Sequence, residues 1–209
     1  MRKITINLAA VAAFCIVVAS PALVSSSCAT PKTEQEDTTI IREDSGITAL
    51  KYSSPEVPAS IEFCGKTIDL SRFDRHERMD RELLAFTYMH STSLQMLKKA
   101  NRYFPIVEPI LKENGIPDDF KYLMVIESNM NPTARSSAGA AGLWQFMQGT
   151  GRDYGLEVNN NVDERYHIEK ATRAACRYLK DAYAKYKDWV AVAASYNAGQ
   201  ARIASQLAK

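Results

Sequence analysis

From residue 61 to residue 209 the apolar side chains recur three and four residues apart and almost nowhere alternate, a pattern that buries its large side chains as helices. Met79, Leu83, Phe86, Leu94 and Leu97 form one stripe over residues 77–98. Phe104, Val107 and Leu111 form a second, with Pro105 and Pro109 each expected in a first turn or at a kink. Asn114-Gly115 then stops that helix, and Pro117-Asp118-Asp119 opens another with proline and acids in its first turn. Ala171, Ala175, Tyr178, Leu179, Ala182 and Tyr186 make a third stripe, and Asp188 is placed to cap a short apolar helix over residues 189–194. Residues 201–208 read as one more helix. The strand signal is confined to residues 61–70, where Cys64-Gly65-Lys66 suggests a short hairpin. The fold class is all-α, with room for that N-terminal hairpin.

Ahead of this domain the chain changes character twice. Arg2 and Lys3 precede a mostly apolar run from Leu8 to Val18, then Pro21 and small residues to Ala29, the layout of a secretory signal over residues 1–28. Asn7, Pro21 and the short apolar core argue against an uncleaved membrane anchor. Cys28 is a candidate lipid-bearing N-terminus, which would place the protein at the outer membrane; cleavage after Ala29, with Ser27 and Ala29 as the small pair, would release a soluble periplasmic product. Residues 29–60 read as a flexible linker, since residues 30–60 hold three basic and six acidic side chains and few large apolar ones. The 149 residues from 61 onward are one domain's worth of core.

Of the 26 basic residues in the chain, two lie in the signal, which contains no acid, so the exported protein is close to neutral. It has no basic run, and nucleic acid is not an expected partner. His76, His90 and His167 have no ligand spacing, so no metal site is expected. Cys64 and Cys176 would be free to pair in an oxidising compartment, but Cys176 sits in a helical apolar stripe and reads as a buried thiol.

The stretch FKYLMVIESNMNP, residues 120–132, places one carboxylate where it is least at home. On a helix starting near Asp118, Phe120, Leu123, Met124 and Glu127 occupy i, i+3, i+4 and i+7, so Glu127 shares a face with large apolar side chains. Either the helix ends there and the side chain turns out to water, or the carboxyl is held against that surface. In the second case burial and the helix C-terminus both disfavour its charge and raise its pKa.

Five of the nine glycines follow closely, at positions 139, 142, 149, 151 and 155. Gly142-Leu143-Trp144-Gln145-Phe146 lies among them, a pattern of backbone packed about a groove, with Gln145 able to hydrogen-bond a sugar amide or hydroxyl. Core packing of Trp144 and ordinary turns at the glycines would explain each feature singly. Gly149-Thr150-Gly151 is not a nucleotide loop, because no strand precedes it. Ser195-Tyr196-Asn197-Ala198-Gly199 is a third cluster, expected at the exposed turn that ends the residue-189 helix.

In this order and spacing, the three clusters resemble the lytic transglycosylases with a lysozyme-like catalytic domain, near their membrane-bound type D branch. The matching residues are Glu127-Ser128 with Asn131-Pro132-Thr133-Ala134, then residues 139–146, Gly149-Thr150-Gly151, Tyr154-Gly155-Leu156, Asp163-Glu164-Arg165, Tyr178-Leu179, and Trp189 through Gly199. The resemblance covers residues 116–199 and implies a lysozyme-like core over residues 116–209, preceded by a helical extension over residues 61–115. It further implies a glycan strand of peptidoglycan as substrate, cut between N-acetylmuramic acid and N-acetylglucosamine to leave 1,6-anhydro ends in wall turnover or remodelling. Glu127 would be the catalytic acid and base; Ser128 and Gln145 would lie in the cleft, with Tyr196 and Asn197 beside the acid. No cofactor is implied, and a monomer is expected.

Two departures from the family pattern shape the expectations. Gln148 follows Met147 where the family has proline, which affects a loop end only. The chain ends at Lys209, ten residues after Gly199, so by the family's pattern its C-terminal helices are missing. A groove open on that side and weak or absent turnover are expected. Two other readings stay open: a lysozyme-type muramidase, which would need Asp153, Glu157 or Asp163 to position water, and a peptidoglycan-binding module without turnover.

Overall fold

The structure is a computed structural model that describes residues 55–207. The expected signal with Cys28, and the linker as far as residue 54, lie outside the described residues. The first element is the expected hairpin: β1 (Ser60–Phe63) pairs antiparallel with β2 (Lys66–Asp69), Phe63 facing Lys66. Cys64 and Gly65 both have positive φ, 50° and 75°, as a two-residue turn between twisted strands requires. Alternation along β1 buries Ile61 and Phe63.

Two helices, α1 (Phe73–Tyr88) and α2 (His90–Glu113), stand where a single stripe over residues 77–98 suggested one. The break at Met89 changes the meaning of that stripe. Met79 and Leu83 are buried with Ile61 and Leu70 in a small satellite core, whereas Leu94 and Leu97 are exposed. No glycine or proline marks the break; Ser93 stabilises it by donating its hydroxyl to Phe86 O at 2.6 Å. Pro105 and Pro109 lie well inside α2, which excludes the first turn among the two places expected for them. They are four residues apart on its exposed face, so the carbonyls they leave unpaired face water rather than the core. Helix α2 ends at Asn114, and Gly115, at φ 67°, reverses the chain as expected.

The segment expected to be one helix from Asp118 is a 3-10 turn (Asp118–Tyr122) leading into α3 (Leu123–Ser128). A long loop follows, then α4 (Gln148–Asp153), a 3-10 turn (Glu164–Tyr166), α5 (Ile168–Tyr186), α6 (Trp189–Ala198) and α7 (Gln200–Leu207). Asp188 caps α6 by accepting from Val190 N at 2.9 Å. The α6 helix continues to Ala198, four residues past its expected end, so Tyr196 and Asn197 are helical residues and not part of an exposed turn.

One main core joins these elements. Phe104, Val107 and Leu111 of α2 meet Phe120, Leu123 and Met124, and Ala171, Ala175, Leu179 and Ala182 present the small-residue face of α5. That face lets α5 pack closely on α2. Phe63 brings the hairpin into the same core, 6.1 Å from the Phe120 ring. Two polar links reinforce the contact: Cys64 N donates to Asp119 Oδ2 at 2.7 Å, and Lys66 pairs with Asp188 at 2.8 Å. Both Cys64 and Cys176 are free thiols, and Cys176 is fully buried. Among the described residues no helix is long and apolar enough to cross a membrane.

Candidate active site

The carboxyl of Glu127 ends the short helix α3, whose Leu123, Met124 and Val125 are buried. Glu127 itself is half-buried. Its carboxyl takes part in no hydrogen bond or ion pair among the described residues, and no buried side-chain oxygen there lacks a partner, so its oxygens open onto solvent. Loss of solvation pushes its pKa up to about 7. Burial is the physical cause.

The chain leaves α3 abruptly. Asn129 N donates to Val125 O and Met130 N to Met124 O, a left-handed cap built from Asn129 (φ 49°) and Met130 (φ 52°). Asparagine tolerates that conformation; a fully buried methionine in it is strained and held by its surroundings. Lys99 of α2 donates to Asn129 O at 3.0 Å, adding a cation at the helix C-terminus.

Residues 139–146 form a loop that packs against α3 and α6. Ala141 and Phe146 exchange backbone hydrogen bonds at 3.0 and 3.2 Å, and Gln145 sits at φ 49° between them. The Gln145 amide nitrogen donates to Gly142 O at 2.8 Å and Ala134 O at 3.3 Å, and among the described residues its carbonyl oxygen has no partner and can accept from a ligand. The Ser128 hydroxyl is buried between Met124 O at 2.9 Å and Leu143 O at 3.0 Å, so it ties α3 to this loop. Trp144 is fully buried, with its indole N–H donating to Thr172 Oγ1 of α5 at 3.0 Å.

Tyr196 closes the site from α6. Its phenol donates to Trp144 O at 2.7 Å, and its pKa is raised well above the ordinary value by burial first and by the Glu127 charge second. Tyr196, Tyr178 and Tyr154 continue as an edge-to-face series with ring centroids 5.1 and 5.3 Å apart. The structure thus brings Glu127, Ser128, Gln145 and Tyr196 together through the 139–146 loop. Asn197 is exposed, one residue further along α6, and makes no side-chain hydrogen bond among the described residues.

Sequence reasoning missed Arg165 as part of this arrangement. Arg165 is 2% exposed and donates to Asp163 through Nε and Nη2, and to Gly139 O and Phe146 O through Nη1. Its carbonyl lies where a Cβ on Gly142 would fall, 1.9 Å away, and Gly142 has φ 79°. The available signal was Asp163 two residues before Arg165, a cap followed by its own cation.

Residues 105–209, half of the chain, match the family described as the transglycosylase SLT domain. The chain belongs to that family. Among its relatives, the membrane-bound lytic murein transglycosylase D of Escherichia coli (strain K12) is 31% identical over 128 residues, which is 61% of this chain and 27% of that protein. The peptidoglycan transglycosylase gp16 of Escherichia phage T7 is 33% identical over 93 residues, 43% of this chain and 7% of its own length. The aligned part is thus a small share of either relative. The SLT match begins inside α2 and takes in Glu127, Ser128, Gln145, Tyr196 and Asn197, and the helical architecture is the lysozyme-like fold of the SLT family.

Proposed function

We propose that this SLT domain cleaves the glycan strand of peptidoglycan as a lytic transglycosylase, between N-acetylmuramic acid and N-acetylglucosamine. The observation that carries the reading is one desolvated carboxyl, Glu127, poised near pKa 7 with no hydrogen-bond partner, and with no neighbouring carboxylate among the causes of its shift. A group with that proton affinity can give up a proton and take one back at neutral pH. Protonated Glu127 donates to the glycosidic oxygen as the bond to C1 breaks. The resulting carboxylate then takes the proton from the C6 hydroxyl of the same muramoyl residue, whose oxygen attacks C1. The product is a 1,6-anhydro ring, Glu127 ends protonated as it began, and no water is consumed.

An intramolecular nucleophile removes the need for a second carboxylate at a fixed distance. The candidates for that second role are engaged elsewhere or exposed. Asp163 is bound to Arg165, Glu157 accepts from Asn159 Nδ2 at 2.8 Å, and Asp153 is exposed at the end of α4. This favours the transglycosylase over a muramidase. In the proposed complex Gln145 accepts from a substrate N–H or hydroxyl, Ser128 keeps the acid's helix against the cleft loop, Tyr196 walls off the acid, and Asn197 contacts the strand from the rim. The names of these relatives support a peptidoglycan substrate and hence action at the cell wall. A periplasmic monomer, attached to the outer membrane through Cys28 where lipidated, completes the proposal.

Mass spectrometry of peptidoglycan digested by the full chain tests it. Anhydro-muramoyl ends are expected. Reducing ends would make the chain a hydrolase, and binding without any product would make it a wall-binding module.

A further inference from the structure

We propose that Asp163 and Arg165 are a positioning pair, which holds the 139–146 loop against α3 and α6 beside Glu127 and so limits the water around that carboxyl. The geometry is specific. One buried guanidinium nitrogen of Arg165 donates to both ends of the loop, to Gly139 O at 2.8 Å and Phe146 O at 2.9 Å. The other side of the fork is fixed by Asp163, whose Oδ1 accepts from Arg165 Nε at 2.9 Å and whose Oδ2 accepts from Nη2 at 2.7 Å. A planar guanidinium with two faces of contacts sets the direction as well as the distance of each bond, which a lysine would not do.

Between those two anchored ends the loop contacts two neighbours of the acid. Leu143 O receives the Ser128 hydroxyl next to Glu127, and Trp144 O receives the Tyr196 phenol, which feels the Glu127 charge. Gln145 stands between them in a left-handed conformation that an L-residue adopts only when held. Gly142 has its Cα pressed against Arg165 O, so the pair and the loop cannot move independently. Arg165 touches neither Glu127 nor the cleft. It acts through the loop, and what it controls is solvent access to an acid whose raised pKa has burial as its cause.

The inference rests on Glu127 being the acid of the proposed reaction, but its test does not need turnover. The ionisable group coupled to Glu127 from a neighbouring element is the Tyr196 phenol of α6, with Tyr178 of α5 behind it, and Lys99 of α2 is bonded to Asn129 O at the end of α3. All are kept in the variants. The Glu127 carboxyl of the full chain is titrated by carbon NMR in the wild type, Arg165→Lys and Asp163→Asn, its resonance assigned by loss in Glu127→Gln. A wild-type midpoint near 7 is expected, moving down by about one pH unit in both variants as water enters. The alkaline limb of peptidoglycan cleavage should move by the same amount.

Folded variants that titrate like the wild type overturn the inference, and so does loss of the fold in both, which would make the pair a requirement of folding only. A shifted midpoint in a chain that cleaves nothing would keep the positioning role and sink the transglycosylase reading instead.

Discussion

At the scale of single residues, the site is held against local preference, and this has consequences away from catalysis. Glu127 has a folded-state pKa of about 7 against 4.5 for a free carboxyl. The unfolded chain therefore loses this proton first as pH rises, so the protonated carboxyl favours the fold fully below about pH 4.5 and that contribution is lost between there and about pH 7. The loss is on the order of 3 kcal/mol. Glu127→Gln should accordingly abolish peptidoglycan cleavage while raising the melting temperature at pH 8, with little change at pH 4; calorimetry at the two pH values checks the sign. A variant that melts lower at pH 8 would show that the carboxylate stabilises the fold, contrary to its burial. Periodicity placed Glu127 at helical spacing from Leu123 and Met124, which α3 keeps, but its extension to Phe120 assumed a helix where the chain forms a 3-10 turn. The partners of Ser128 and Tyr196 are backbone carbonyls 15 and 52 residues distant, and no local pattern encodes those.

At the scale of elements, the 139–146 loop and α6 behave as one unit. Tyr196→Phe removes the donor to Trp144 O and leaves that carbonyl unpaired beside a buried tryptophan. The expected loss is about 1–2 kcal/mol in urea denaturation, with a fall in activity as the wall beside Glu127 loosens. Gly142→Ala should be harsher than Tyr196→Phe, since its Cβ would lie 1.9 Å from Arg165 O, a backbone atom with nowhere to go, at a φ that alanine avoids. A Gly142→Ala protein as stable as the wild type would mean that the loop and Arg165 separate easily. Most helices were legible from apolar spacing, but α4 was not, and neither were the break at Met89, the start of α3 or the end of α6. The stripe over residues 77–98 hid the break at Met89 because the apolar spacing carries across it without glycine or proline. In α2, Pro105 and Pro109 are tolerated because they share the water-facing side, a fact that depends on which face the core takes.

At the scale of the whole described molecule, the question is whether the hairpin and the SLT helices form one cooperative structure. Phe63 lies in the main core at 0% exposure against Phe120, which in turn meets Trp189 at 5.3 Å, while Lys66 reaches the α6 cap Asp188. These contacts join the first described element to the last third of the chain. Phe63→Ala should therefore cost about 3–5 kcal/mol and destabilise the region of Glu127 as well as the hairpin. The chain's two tryptophans make this measurable, because Trp144 lies in the cleft loop and Trp189 packs between Phe120 and Tyr183. Unfolding followed by tryptophan fluorescence and by far-ultraviolet circular dichroism should coincide in the wild type and shift together in Phe63→Ala. Fluorescence that holds its wild-type midpoint in the variant would show that the hairpin is an appendage and that the helices around Glu127 are stable without it.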